Sequence, residues 1–522
     1  MSEANLPAPI VFAPSERWDG HDGSWSTFDI HVGSPPQSFR VLPSPATGDI
    51  YIPHPQGCEN STGDCGQRRG VYGIDTVDSK SGFQPNASTT WHEMGWYDTL
   101  LREDLNYTGN GLYGQDTVGL QLPSLNGPVL EQQIVAAVAN KKVFIGVFGL
   151  SPVPANFSDF NNPQPVFFKV LKDQNKIPSL SYAYTAGASY KTPQSFASLT
   201  LGGYVTSRFT PNKGNITYPF DPDDERPLSV SIQSITTNTS FNGVRSLLPE
   251  PIYINLDFTV PHFWLPGPVC DNFASVFGLS YDNTTSLYLI NSTTHAELLK
   301  RNPSINFGLG NTPNPDERVN IVLPYAAFDL EASWPWYENV TRYFPIRRAE
   351  NKSQYTLGRT FLQEAYLIAD YERGNFSLHQ ARFPASTEKR QIVSIASPVE
   401  ESSVSSPPSS VTTPPPKRLN GGMIAGIAMG VVVFIVLCIG AAVWAMRRRR
   451  ERSRRARADA HDVALGQDRK AAEASGDEVH ELKSPLGEEI AGEVKCELGS
   501  ECAYELPSTP QNYELDGTER RT

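Results

Sequence analysis

The chain has 522 residues, with 44 Lys and Arg against 56 Asp and Glu and a formal net charge of −12. An acidic balance of that size disfavours nucleic acid as a partner, and a length beyond one ordinary domain still admits a bilobal unit of several hundred residues. Val, Ile, Tyr, Phe and Thr are plentiful, and 43 Pro with 40 Gly punctuate short strands, which points to an all-β class with many turns.

Taken in order, Met1 to Arg17 has neither a basic n-region nor an apolar h-region, so an upstream secretion signal is expected to precede this N-terminal segment. From residue 18 to 40, Trp25, Phe28, Ile30 and Val32 alternate with polar residues before the turn Gly33 to Gln37. The stretch Gly33 to Pro53 then reads GSPPQSFRVLPSPATGDIYIP, a strand in, a polar turn and an aromatic strand out. Cys58 and Cys65 follow and close a small loop; outside the cell such a pair forms a disulfide. From Thr89 to Val118 an Asn-Gly turn sits among several aromatic residues. Phe144 to Leu150 (FIGVFGL) and Leu199 to Gly203 (LTLGG) carry the strand glycines that mark close backbone approach. Ile252 to Pro266 (IYINLDFTVPHFWLP) echoes the Gly33 to Pro53 region, with Trp264-Leu265-Pro266 answering Tyr51-Ile52-Pro53.

The Gly33 to Pro53 stretch resembles the first active-site strand of pepsin-like (peptidase A1) aspartic proteases, in which a Pro-Pro-Gln turn precedes an Asp-Thr-Gly signature. Ser44, Pro45 and Ala46 stand in the three signature positions, and no Asp-Thr-Gly or Asp-Ser-Gly occurs elsewhere. In the second lobe Asp257, Phe258 and Thr259 stand there, so the resemblance makes Asp257 the retained catalytic position, though a polar residue at a strand end reads the same. Thr89 to Val118 is the place of the flap, whose covering Tyr is left open among Tyr97, Tyr107 and Tyr113. Residues 355–376 (YTLGRTFLQEAYLIADYERGNF) resemble the closing Leu-Gly segment. Together the matches cover about 18–385 and resemble membrane-anchored pepsin-like proteins of fungi. They imply a bilobal pepsin-like acid protease fold, with lobes of about 18–205 and 206–385.

The chemistry of such proteases needs two carboxylates about 3 Å apart that share a proton, one serving as base on a water and the other as acid. A serine at position 44 can do neither, and Asp49, five residues along an extended strand, lies roughly 16 Å away. The Thr positions that brace the two signature loops hold Pro45 and Phe258, so that bracing is expected to be lost. Cys270 has no later partner before residue 422, which leaves a buried free thiol or an intermolecular bond.

Residues 386–422 turn to Ser, Pro, Thr and Val and read as an extended stalk. Met423 to Met446 is an apolar run of 24 residues, enough for a transmembrane helix across a hydrocarbon core of about 30 Å. Eight Arg between Arg447 and Arg457 put the C-terminus in the cytosol and the N-terminal domain outside, at the plasma membrane or cell surface. The tail 447–522 reads as disordered. Eleven glycosylation sequons precede the span and none follows it, at Asn60, Asn86, Asn106, Asn156, Asn215, Asn238, Asn283, Asn291, Asn339, Asn351 and Asn375.

No cofactor motif or metal cluster is apparent. The expectation is a single-pass membrane glycoprotein with a catalytically defective ectodomain that binds or senses a peptide or glycan in the inter-lobe cleft. The alternatives are an active membrane-anchored aspartic endopeptidase and a structural or adhesive surface protein. Membrane lipids are the expected partners of Arg447 to Arg457, and a homodimer through Gly422, Gly426 and Gly430 is a further expectation.

Overall fold

Alternating apolar residues and a tight turn make a hairpin of Trp25–Val32 and Gln37–Ser44, with Phe28 opposite Val41 and Ile30 opposite Phe39. Gly33 in the turn has φ +89°, and a Cβ there would fall 2.8 Å from Ser88 Oγ, so both conformation and space demand glycine. The computed structural model describes residues 6–398 apart from 60, 62–63, 74–80, 100, 159–160, 241–242, 315–316 and 386–387. The proposed span Met423 to Met446, the arginine cluster, the tail and most of the stalk lie outside the described residues. Among the described residues no helix is long and apolar enough to cross a membrane.

The described residues form an all-β unit, with two large sheets of the same design. In the first, Gln37–Ser44 runs parallel to Gly146–Gly149, which is antiparallel to Ile50–Pro53, which in turn is parallel to Val129–Val138. The FIGVFGL segment therefore lies between the strands entering and leaving the Ser44 turn. Its glycine is needed for that approach, since a Cβ on Gly149 would meet the Gly48 backbone at 2.4 Å. In the second sheet Ile252–Leu256 runs parallel to Thr356–Leu357, which is antiparallel to Phe263–Pro266, which is parallel to Ile346–Ala349. The echo between the two sequence regions is thus an echo of topology, and it puts Ser44 and Asp257 at equivalent turns.

A third sheet joins the halves. Its order is Ile10–Phe12, Ser198–Leu201, Ser181–Thr185, Ala365–Asp370, Asn375–Ala381 and Phe209–Thr210, so Ser181 pairs with Asp370 across the two lobes. Short strands near both ends of the described residues join these edges. Within the N-terminal segment, Ile10–Phe12 pairs with Leu199–Leu201 and Phe12 is buried against Phe28 and Phe148. The stalk does not begin at 386 throughout, because Ile392–Ser394 pairs with Gly203–Val205 and satisfies that edge.

A candidate active site filled by a flap arginine

The leading residue of each signature turn is buried. Ser44 is 0% and Asp257 1% exposed. The Ser44 hydroxyl shares a 2.6 Å hydrogen bond with Thr259 Oγ1 and accepts the Ala46 N–H at 3.2 Å. Asp257 Oδ1 accepts the Thr259 N–H at 2.9 Å. The two turns are therefore joined, contrary to the expectation from Pro45 and Phe258, because Ser44 and Thr259 make the link with side chains from different signature positions. Phe258 turns away and packs on Tyr184, with ring centroids 4.7 Å apart.

The second oxygen of Asp257 is taken by a residue from the flap. The hairpin strands His92–Asp98 and Asn110–Leu120 are joined by a loop in which Arg102 donates Nη1–H to Asp257 Oδ2 at 3.0 Å. The same guanidinium grips Asp104 through Nε and Nη2, each at 2.8 Å, a forked geometry that fixes its direction. Burial opposes the Arg102 charge, but Asp104 and Asp257 outweigh it and hold its pKa above the ordinary arginine value. The loop is also tied to the second lobe, with Arg102 Nη2 donating to Ser353 O at 3.4 Å and Gln354 Nε2 to Asp104 O at 2.6 Å. Beside Thr259 lies a cavity of about 40 Å³ lined by residues including His21, Tyr107, Lys142 and Arg359. With a water needing about 10–15 Å³ by the same measure, this cavity has room for a few waters.

The comparison with known families decides what this scaffold is. The profile of the eukaryotic aspartyl protease family matches residues 27–381. The chain belongs to that family. It is 23% identical to candidapepsin of Candida tropicalis over 371 residues, covering 70% of this chain and 82% of that one. It is 25% identical to secreted aspartic protease 8 of Candida albicans over 306 residues, 58% of this chain and 64% of that one. Barrierpepsin of Saccharomyces cerevisiae is 21% identical over 382 residues, 70% of this chain and 62% of that one.

At the two equivalent turns of this aspartyl protease scaffold stand one hydroxyl, Ser44, and one carboxylate, Asp257, and each oxygen of Asp257 accepts a hydrogen bond from the protein. Asp257 thus meets Arg102 on one oxygen and the Thr259 N–H on the other. Arg102 was not singled out by sequence reasoning. Its only local signal is a basic residue followed at once by Glu103 and Asp104, which does not tell where the loop reaches. Arg359, just after the closing Leu-Gly, was missed as well. It donates Nη1–H to Phe258 O at 2.9 Å and lies 4.5 Å over the Trp25 ring, so it buttresses the second turn.

The other expected site residues divide as follows. Cys58 and Cys65 are disulfide-bonded, with Cα atoms 5.6 Å apart. Cys270 is a free, fully buried thiol on the helix Gly267–Phe277, donating to Leu265 O and Arg347 O, and burial pushes it up to about 12. Of the flap tyrosines, Tyr113 is buried under the hairpin, Tyr107 lines the small cavity, and Tyr97 lies on the first flap strand, its ring against Tyr113 and Phe157. Asn86, Asn106, Asn156, Asn215, Asn238, Asn283, Asn291, Asn339 and Asn351 are exposed, Asn375 is half-buried on a strand, and Asn60 lies outside the described residues. Asn291 and Asn351 also cap helices through Oδ1, accepting from Thr294 N and Ser353 N. Among the described residues no cluster of His, Cys, Asp and Glu could hold a metal ion.

Proposed function

We propose that the ectodomain is a catalytically silent aspartyl protease scaffold that serves as a binding or sensing module of a cell-surface glycoprotein. The observation that carries the reading is the Arg102–Asp257 ion pair, with Ser44 where a second carboxylate is needed. One carboxylate paired with a guanidinium has no second carboxylate with which to share a proton, so the coupled acid and base of a working dyad are lost. Membrane attachment through Met423 to Met446, with the glycan-bearing domain outside, follows from the apolar run and the arginines after it.

The test is a cleavage assay of the full-length protein in detergent on denatured proteins and a peptide library between about pH 3 and 7, where carboxylate dyads titrate. No cleavage is expected. Pepstatin-sensitive cleavage that is abolished by Asp257→Asn would overturn the reading.

A further inference from the structure

A second cavity, of about 200 Å³, lies beneath the flap hairpin, and its lining belongs to the first half of the chain. It is lined by Asp49, Tyr97, Asp98, Tyr113 and Phe157, with Asn156 among the residues at its wall. The rings of Tyr97, Tyr113 and Phe157 are in mutual contact, with centroids 4.9 to 5.9 Å apart in edge-on pairs. Such an arrangement offers ring faces in several directions to one guest. The volume falls below the roughly 300–1,000 Å³ of sites that enclose a whole drug-sized molecule, so it suits a single side chain or a small ligand.

Asp49 gives this cavity its chemistry. Asp49 is 3% exposed, and both neighbouring hydroxyls, Tyr51 at 3.3 Å and Tyr113 at 3.4 Å, donate to Oδ2. Oδ1 receives no hydrogen bond from the described residues, and no Lys, Arg or His is among the residues lining the cavity. Asp98, exposed on the first flap strand, adds a second negative charge to the lining. A buried carboxylate with an open oxygen, no cation and aromatic walls is complementary to a cation with an apolar stem.

We propose that this cavity is a binding pocket for an alkylammonium group, such as the end of a lysine side chain on an exposed peptide. The ammonium donates to Asp49 Oδ1, its stem lies against Tyr97 and Phe157, and Asp98 contributes long-range attraction. The pocket does not use Asp257, Ser44 or Arg102, so it stands whether or not the scaffold is silent. Burial pushes Asp49 up to about 6, against the pull of the Tyr51 and Tyr113 hydrogen bonds. Tyr97, Asp98 and Tyr113 are the other titratable groups lining the cavity. The ionised form that binds a cation is therefore the minor form at pH 5 and the major form at pH 7.

The experiment is calorimetric titration of the full chain in detergent, after glycosidase trimming because Asn156 heads a sequon. The probes are n-butylamine, a blocked lysine amide and the neutral blocked norleucine amide. The lysine amide should bind saturably and the norleucine amide at least tenfold more weakly. Affinity should fall about tenfold from pH 7 to pH 5 as Asp49 takes its proton. Asp49→Asn should weaken lysine binding tenfold or more, and Tyr97→Leu, which keeps the acid and removes a wall, several-fold. If Asp49→Asn does not fold, Tyr97→Leu and the wild-type pH series still decide. A lysine amide that binds more tightly than butylamine assigns the pocket to a peptide side chain; equal binding assigns it to small amines. Equal responses to lysine and norleucine, or an affinity unchanged between pH 5 and 7, overturn the proposal. Peptide cleavage by the wild type would sink the proposed silence and leave this pocket standing.

Discussion

Replacing Arg102 by Ala isolates the contact on which the silent reading rests. Arg102 is 6% and Asp257 1% exposed, so the change strands a carboxylate in the interior with the Thr259 N–H as its remaining partner. Removing one member of a buried ion pair costs about 3–5 kcal/mol, because the other charge stays buried without compensation. The Asp104 contact adds little, since its carboxylate is 31% exposed and such pairs contribute about 0–1 kcal/mol. For a unit of this size 1 kcal/mol moves the midpoint by roughly 2 °C, so a drop of about 6–10 °C is expected. The assay is thermal unfolding of wild type, Arg102→Ala, Asp257→Asn and the double variant. In the double variant the stranded charge is gone, and most of the loss caused by Arg102→Ala should be recovered. Arg102→Ala as stable as wild type, or no recovery on adding Asp257→Asn, would refute the claim that this pair is what fills the site.

Restoring the first signature with Ser44→Asp, Pro45→Thr and Ala46→Gly should not restore peptide cleavage, because Arg102 still occupies Asp257; pepstatin-sensitive turnover by that triple variant would contradict this. Cys270 should resist alkylation in the native protein at pH 8 and react on unfolding, read by mass mapping that separates it from Cys438, Cys496 and Cys502, since burial pushes its thiol up to about 12; rapid native labelling at Cys270 would count against the packing described. A peptide of residues 447–460 should bind anionic vesicles with about 1 kcal/mol per Arg near the surface, weakening as salt shortens the Debye length; equal binding to neutral vesicles at low salt would reject the electrostatic role. Gly426→Leu should lower cross-linked dimer in membranes if the glycine face packs two spans together, and unchanged dimer levels would discard that contact.

Much of this protein is written in short-range pattern. The alternation of Trp25, Phe28, Ile30 and Val32, the glycines of FIGVFGL and the echo of Tyr51-Ile52-Pro53 in Trp264-Leu265-Pro266 each reflect a strand's own period or a neighbour's close approach, so the two equivalent turns were legible in the residues alone, while Ser44 stood out only through the family resemblance. The Cys58–Cys65 pair is local too, seven residues apart. What the sequence could not declare are contacts made by unlike residues far apart in the chain. Arg102 meets Asp257 across 155 residues and Ser44 meets Thr259 across 215. Neither pairing has a periodic trace, because a side chain's reach depends on where the loop beneath it is carried. The same holds for the three-residue strands Ile10–Phe12 and Ile392–Ser394, too short to show an alternation and recognisable only once Leu199–Leu201 and Gly203–Val205 present their free edges. Asp49 could be placed on the outgoing turn from sequence, but only the folding of the Tyr97 and Tyr113 strands over it turned an ordinary carboxylate into one buried beside an aromatic cavity. Strand identity is a property of neighbouring residues, whereas the occupant of a cleft is chosen by the tertiary arrangement of loops whose own sequences are free of regular pattern.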